Sequence, residues 1–329
     1  MTEQMTAMLV SELGGIDQLA AATVDVPEPG PSQIRVAMRA AGVNFPDVLM
    51  IAGNYQLRPD LPFAPGFEVA GEVSAVGAEV SSVVVGQRVV ATPWFGAYAE
   101  EVVVDEAVCE PIPDGLAFTD AAVLPIAFGT ALHALRDRGR LAPGETLLVT
   151  GATGGTGSAA MKIGNLLGAR VIAAVGSAGK SATAREMGAD EVVLYGGETP
   201  LRDQVKEITG GRGADVVFDP VGGDVTGDVL RCVAWEGRIL VIGFTSGSIP
   251  QIPANLPLLK GSSVVGVFWG RWRTINPGEA HAQFAEIADW VVTDRLDPGI
   301  SATYPLRDAV TALRTITDRR ATGKIVLTR

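Results

Sequence analysis

The sequence predicts an α/β protein in which a β-rich first part is followed by a doubly wound parallel sheet. Three observations support this prediction. Short apolar runs separated by Gly and Pro occupy residues 1–125. From Pro143, almost wholly apolar runs alternate with amphipathic segments, which is typical of parallel strands covered by helices on both faces. The 40 glycines and 20 prolines favour many tight turns over a helical bundle.

Composition narrows the class of protein. Hydrophobic residues make up 47% of the chain and charged residues 19%, so a large core is expected and disorder is not. A net charge of −11 disfavours a nucleic-acid partner, since duplex binding depends on clustered Lys and Arg. Cys109 and Cys232 fit no metal or redox spacing. Without a signal-peptide pattern or an apolar run of about 20 residues, a cytoplasmic protein with no membrane partner is expected.

The first part is expected to be built from short strands. Residues 33–43 alternate apolar and polar side chains, with Ile34, Val36 and Met38 on one face. The other β-type runs are residues 67–77, 88–92 and 97–104. These runs predict a small barrel-like β unit over residues 1–125.

The second part, residues 126–270, alternates strands and helices. Strands are predicted over residues 145–150, 170–175, 191–195, 214–219, 237–243 and 263–269. Helices are predicted over residues 154–169, 181–188, 200–209 and 224–234. Beyond these, a helix over residues 277–292 and a closing helix and strand are expected to return to the first domain, which residues 271–329 would complete.

A glycine-rich loop joins the first of these strands to the first helix. Its glycines are Gly151, Gly154, Gly155 and Gly157. Glycine permits unusual φ angles and lets the backbone approach a pyrophosphate, whose charge then lies at the helix N-terminus. Because the loop follows a strand and opens a βαβ series, it predicts a dinucleotide-binding site.

The next strand ends at Val175, about 20 residues beyond those glycines. At this position, dinucleotide-binding folds contact the adenosine ribose. NAD-binding folds usually present Asp or Glu there. This chain instead has Gly176, Ser177 and Lys180. A hydroxyl and an ammonium suit a 2′-phosphate, so NADPH is expected rather than NADH. The alternative for Lys180 is an ordinary solvated lysine.

Several segments resemble, in order, those of the zinc-free quinone oxidoreductases of the medium-chain dehydrogenase/reductase superfamily. They include GVNFPDVLMIAGNY, LPFAPGFEVAGEV, LPIAFGTALHAL, GATGGTG, DVVFDPVGG, GVFWG and ATGKIVL, and the resemblance covers about residues 5–329. It implies a GroES-like catalytic domain and a Rossmann domain that binds NADPH.

The same resemblance implies that the chain needs no zinc. Zinc alcohol dehydrogenases place a cysteine ligand where this chain has Asn44, and a histidine where it has Phe67. Catalytic zinc needs three protein ligands and an open position. Without a Lewis acid, the hydride acceptor is expected to be a quinone or an activated C=C bond, in which the charge formed is delocalised.

Two candidate catalytic residues follow from the resemblance. Asn44 would orient the cofactor or bind the acceptor oxygen; the alternative is an Asn that forms a turn. Tyr55 would line the quinone pocket and donate a hydrogen bond; the alternative is a packing tyrosine. Asp47 is expected to cap a helix that begins at Val48, and Glu68 to be structural.

The resemblance also implies further cofactor contacts. Thr130 is expected at the start of a helix beside the nicotinamide, Tyr195 beside the adenosine phosphate and Arg320 at the 2′-phosphate. The remaining contacts would come from Gly222, Gly243 and Phe244 at the carboxyl ends of strands, and from the backbone of Phe268 and Trp269, which would meet the carboxamide. The alternatives are a helix cap for Thr130, solvated charge for Arg320 and an apolar edge strand for Phe268 and Trp269.

The expected function is therefore transfer of hydride from NADPH to a quinone. Reduction of activated C=C bonds, of enone, 2-enoyl or haloacrylate type, is the nearest alternative. A non-catalytic, crystallin-like NADPH-binding protein is the more distant one. A homodimer is expected, because in relatives the apolar run at residues 263–269 pairs across a dimer.

Overall fold

The computed structural model describes residues 3–329, which form two units. The first unit consists of residues 3–126 with Asn276–Arg329, and the second of Ala127–Ile275. In the described residues, no helix has the length and apolar character needed to cross a membrane.

Strands supply most of the regular secondary structure in residues 3–126. These are β1 (Gln4–Val10), β2 (Leu19–Asp25), β3 (Gln33–Val43), β4 (Val69–Val76), β5 (Arg88–Ala91), β6 (Glu101–Asp105) and β7 (Cys109–Pro111). Two short helices accompany them, α1 (Phe45–Ile51) and α2 (Phe118–Ala121). The strand expected over residues 97–104 was placed too early, since regular pairing starts only at Glu101.

The second unit alternates strands and helices, as expected. Its strands are β8 (Thr146–Thr150), β9 (Arg170–Val175), β10 (Glu191–Leu194), β11 (Ala214–Asp219), β12 (Val233–Val241) and β13 (Ser263–Gly266). Its helices are α3 (Thr130–Leu132), α4 (Gly155–Leu166), α5 (Ser181–Glu186), α6 (Leu201–Ile208), α7 (Val225–Cys232), α8 (Asn255–Lys260) and α9 (Trp269–Ile275).

The last residues return to the first unit. They form α10 (Pro277–Val292), β14 (Ile300–Pro305), α11 (Ala309–Thr317) and β15 (Lys324–Thr328). β15 pairs antiparallel with β3, with Ile325 opposite Val43. The main sheet of this unit has the order β14-β15-β3-β4-β5-β7, and β6 also pairs with β3. Alternating side chains of β3, including Ile34, Val36 and Met38, are fully buried in the core beneath it.

The sheet of the second unit has six parallel strands in the order β10-β9-β8-β11-β12-β13. Every residue of β8 is buried, as expected for a strand covered on both faces. The order of connection reverses between β8 and β11. In doubly wound sheets, ligands bind at the carboxyl ends of the strands beside such a reversal. The predicted α/β fold class is therefore confirmed.

Candidate active site

Asn44 lies where β3 ends and α1 begins, and it is 7% exposed. Its backbone is extended, which makes it the N-cap of the helix. Its N–H donates to Asp47 Oδ2 at 2.7 Å. The helix expected from Val48 was placed three residues late. Helix formation starts at Phe45 because Pro46 suits the first turn and Asp47 folds back onto the N-cap amide.

Asp47 is fully buried and links two segments of the first unit. Its Oδ1 accepts the Gly66 N–H at 3.1 Å, and its Oδ2 accepts the Tyr98 hydroxyl at 2.9 Å. Burial raises the pKa of Asp47 to about 7, and the hydrogen bonds from Asn44 and Tyr98 oppose that rise. Gly66 has a φ of +102°, and a Cβ there would lie 2.6 Å from the Tyr98 ring. Tyr98, which the sequence analysis did not single out, therefore holds the start of α1 in place.

A buried ion pair adjoins the Asn44 side chain. Lys324 Nζ is 2.7 Å from Asn44 Oδ1 and 3.2 Å from Glu68 Oε1. Glu68 Oε1 also accepts Asn44 Nδ2–H at 2.8 Å, and its Oε2 accepts the backbone N–H of Ile126 at 2.9 Å. Gly42 makes room for this carboxylate, because a Cβ there would lie 2.1 Å from Glu68 Oε1. Lys324, absent from the sequence predictions, is a central member of the cluster.

Tyr55 lies in the turn after α1 and is half-buried. Its ring meets that of Phe67 edge to face, with centroids 5.2 Å apart. Burial raises the pKa of the Tyr55 hydroxyl, and the negative charge of Asp47 adds to the effect. The hydroxyl is therefore protonated at neutral pH and can donate a hydrogen bond.

The glycine-rich loop of the second unit connects β8 to α4. Gly151 turns the chain with a φ of +57°, and Gly154 is the N-cap of the 12-residue helix that Gly155 begins. A Cβ on Gly157 would lie 2.3 Å from Gly151 O. Gly157 therefore allows the helix to approach the turn closely, as a pyrophosphate-binding loop requires.

The loop after β9 carries Gly176 and Ser177 exposed, followed by a short 3₁₀ turn that ends at Lys180. Tyr195 follows β10 and lies against this loop: a Cβ on Gly176 would be 3.2 Å from Tyr195 Cε2 and 3.3 Å from its Oη. The structure thus brings the Tyr195 ring next to the loop that is predicted to contact the ribose.

Asp219 organises the carboxyl ends of β8 and β11. It accepts the Thr150 hydroxyl at 2.5 Å and the N–H groups of Val221 and Gly222 at 3.1 Å. Gly222 has a φ of +64°, and a Cβ there would lie 2.8 Å from the Phe244 ring. No role for Asp219 was predicted from the sequence. Its signal was a carboxylate that ends an apolar strand just before Pro220.

Thr130 lies in a helical run that is longer than the sequence indicated. Residues Leu124–Gly129 and His133–Arg138 are π-helical, with α3 between them. α3 begins at Thr130, as expected, but it continues a helical run that starts at Leu124, so Thr130 does not lie at a free helix N-terminus. Nearly all side chains from 124 to 135 are buried, so no polar face marks where the run begins.

The strand expected over residues 263–269 was also too long. β13 ends at Gly266, and Trp269 is the first residue of α9. Trp269 is 7% exposed, whereas Phe268 is 50% exposed. A Cβ on Gly129 would lie 2.8 Å from the Trp269 indole, so the ring can pack here only because residue 129 has no side chain.

Arg320 follows α11 in the first unit and is exposed, where it pairs with Asp318 at 3.1 Å. Gly243 follows β12 in the second unit. The roles of both residues, like those of the other predicted site residues, stay predictions.

Two further features concern possible ligands. Among residues 3–329, no group of three or more His, Cys, Asp or Glu side chains is arranged to hold a metal ion.

A groove of about 640 Å³ lies between β7 and α10, and its lining includes Glu110, His281 and Phe284. The predicted site residues do not line this groove.

Comparison with known proteins gives the family. The alcohol dehydrogenase GroES-like domain model matches residues 30–114, and the zinc-binding dehydrogenase model matches residues 155–291. Quinone oxidoreductase-like protein 2 of Rattus norvegicus is 40% identical over 303 residues, which cover 92% of this chain and 86% of the relative. The quinone oxidoreductase of Pseudomonas aeruginosa is 35% identical over 315 residues, covering 95% of this chain and 96% of the relative.

The fold agrees with these sequence matches. The crystal structure of Escherichia coli quinone oxidoreductase complexed with NADPH superposes with a TM-score of 0.92 at 29% identity, covering 98% of this chain and 100% of that chain. With a GroES-like domain and a Rossmann-type parallel sheet, the chain belongs to the quinone oxidoreductases of the medium-chain dehydrogenase/reductase superfamily.

Proposed function

We propose that this oxidoreductase uses NADPH, needs no zinc, and transfers hydride to a quinone. One observation carries the cofactor choice. The loop after β9 offers the Ser177 hydroxyl and the Lys180 ammonium where an NAD-binding fold would present a carboxylate. An ammonium attracts the 2′-phosphate of NADPH, whereas a carboxylate would repel it. The NADPH complex of the Escherichia coli relative supports the same choice.

The proposal that no zinc is needed rests on the side chains around Asn44. Both ends of its amide are hydrogen-bonded within the protein, to Lys324 and Glu68. Phe67, which is buried and directly precedes Glu68 in the sequence, has no atom that binds a metal. Without a Lewis acid, the acceptor must stabilise the incoming electron pair by delocalisation, and a quinone does so.

In this proposal NADPH supplies the hydride when bound, and the residues of the chain bind and orient the reactants. The backbone N–H groups at the start of α4 would hold the pyrophosphate. The Tyr55 hydroxyl and an Asn44 Nδ2–H are the donors offered to the oxygen of the acceptor as it gains negative charge. Positioning by these groups accounts for most of the expected rate enhancement.

Oxidation of NADPH and of NADH with a panel of quinones and activated alkenes tests the function. We expect turnover of quinones by NADPH, well ahead of NADH. Turnover of alkenes alone would reassign the protein to the reductases of activated C=C bonds. Tight NADPH binding without turnover of any acceptor would favour a non-catalytic, crystallin-like role.

We also propose that the protein is a homodimer joined through β13. This strand lies at the edge of its sheet, where its backbone can pair with a second copy. The second unit, to which β13 belongs, also carries exposed apolar side chains, among them Trp235, Leu258 and Val264. Sedimentation should give twice the chain mass of 34.1 kDa, and Val264→Lys should give the monomer mass. A monomeric wild-type protein would contradict the proposal.

A further inference from the structure

Lys324 is a cation in the core of the first unit. It begins β15 and is 2% exposed, and the three residues that follow it are also buried. A charged group in such a place is tolerated only where partners replace the water it has lost. Those partners are Asn44 Oδ1 at 2.7 Å and Glu68 Oε1 at 3.2 Å.

These contacts determine which way the Asn44 amide points. Oδ1 accepts from the ammonium, while Nδ2 donates to Glu68 Oε1 at 2.8 Å. If the amide were flipped, its NH₂ group would face the ammonium and its carbonyl would face the carboxylate. Both hydrogen bonds would then be replaced by repulsion between like partial charges. The Lys324–Glu68 pair therefore permits a single orientation of the amide.

The orientation leaves Asn44 as a donor. Its carbonyl oxygen is engaged by Lys324, and one Nδ2–H is engaged by Glu68. The second Nδ2–H has only a weak contact, 3.5 Å from Gly42 O. The ammonium also draws electron density through the amide, which makes that N–H a stronger donor.

We propose that Lys324 is a positioning residue for hydride transfer: by holding the Asn44 carbonyl, it orients and polarises the amide N–H toward an acceptor oxygen that gains negative charge. The proposal rests on the function proposed above. Lys324 itself contacts neither reactant in this account, and its effect passes through Asn44.

A double-mutant cycle tests this coupling. Lys324→Met removes the charge while keeping a side chain of similar length. Asn44→Ala removes the amide through which Lys324 is proposed to act. We expect Lys324→Met to lower kcat about 10-fold or more with less than about a threefold change in the KM for NADPH, since it removes a charge-assisted hydrogen bond. In the Asn44→Ala background, the same change should alter kcat less than about twofold, because coupled residues are not additive.

Equal loss of kcat in both backgrounds, or no loss in either, would overturn the proposal. Lys206→Met is the matched control, because this lysine lies on α6 outside the proposed site, and its kcat should equal that of the wild type. If Lys324→Met alone fails to fold because Glu68 is left without its ammonium, Lys324→Met/Glu68→Gln removes both charges and takes its place in the cycle.

A second measurement is independent of turnover. The Asn44 side-chain NH₂ signals in an ¹⁵N correlation spectrum can be identified by their loss in Asn44→Ala. We expect Lys324→Met, or its Glu68→Gln double variant, to shift them and to speed their exchange with water. Unchanged signals would contradict the orienting role. If no quinone is turned over but these signals move, the proposed function fails while the orientation of Asn44 by Lys324 stands.

Discussion

Replacing Gly157 with alanine is expected to weaken NADPH binding by about 100-fold or more, because each lost hydrogen bond to a charged group costs about 1.5–3 kcal/mol and the start of α4 would present several such donors to the pyrophosphate. The added Cβ would lie 2.3 Å from Gly151 O and 2.9 Å from Gly151 C. Both neighbours are backbone atoms, so no flexible side chain can yield. The start of α4 must move away from the turn, and its N–H groups move with it.

Fluorescence titration with NADPH measures this loss directly. Gly227→Ala is the matched control: it makes the same change in α7, where the nearest atom to the new Cβ is Arg231 Nη1 at 3.7 Å. Its Kd should equal that of the wild type. A Gly157→Ala protein that is folded by circular dichroism and binds NADPH normally would show that this loop does not hold the pyrophosphate.

The second large effect is expected at the loop after β9. Lys180→Met should lower kcat/KM for NADPH about 10- to 100-fold, the range for losing a hydrogen bond to a charged group, and leave NADH nearly unchanged. Ser177→Asp should go further and reverse the preference. A carboxylate there repels the 2′-phosphate of NADPH and accepts the 2′-hydroxyl of NADH.

The measurement is kcat/KM for both cofactors with one acceptor under identical conditions. Lys206→Met removes a lysine charge from the same unit and should preserve the ratio of the two values. A ratio that stays at the wild-type value in both Lys180→Met and Ser177→Asp would mean that another part of the chain selects the cofactor.

Much of the second unit could be predicted because its signals are local. The strands β8, β9 and β11 are mostly apolar, and α6 has Leu201 and Val205 on one buried face. The glycines after β8 lie next to the strand and helix that they join. Such features depend on residues close in sequence, so they can be predicted from local composition and periodicity.

Two boundaries were missed where apolar residues continue without a polar break. The helical run that contains Thr130 is buried on nearly all sides, and the residues from β13 to Trp269 are almost all apolar whether they are buried or exposed. Periodicity distinguishes helix from strand by the contrast between a buried and an exposed face. Where that contrast is missing, packing against neighbours such as Gly129 decides the backbone conformation.

By itself, the sequence determined the α/β fold class, the glycine-rich loop between β8 and α4, and the family. It also placed Asn44 at a candidate site, but it held no sign of what orients that side chain. Lys324 is 280 residues away along the chain and reads as an ordinary lysine before an apolar strand. Only the antiparallel pairing of β15 with β3, with Ile325 opposite Val43, brings Lys324 to Asn44. Strand register is set by the whole sheet and its core, so this contact exists only in the tertiary structure.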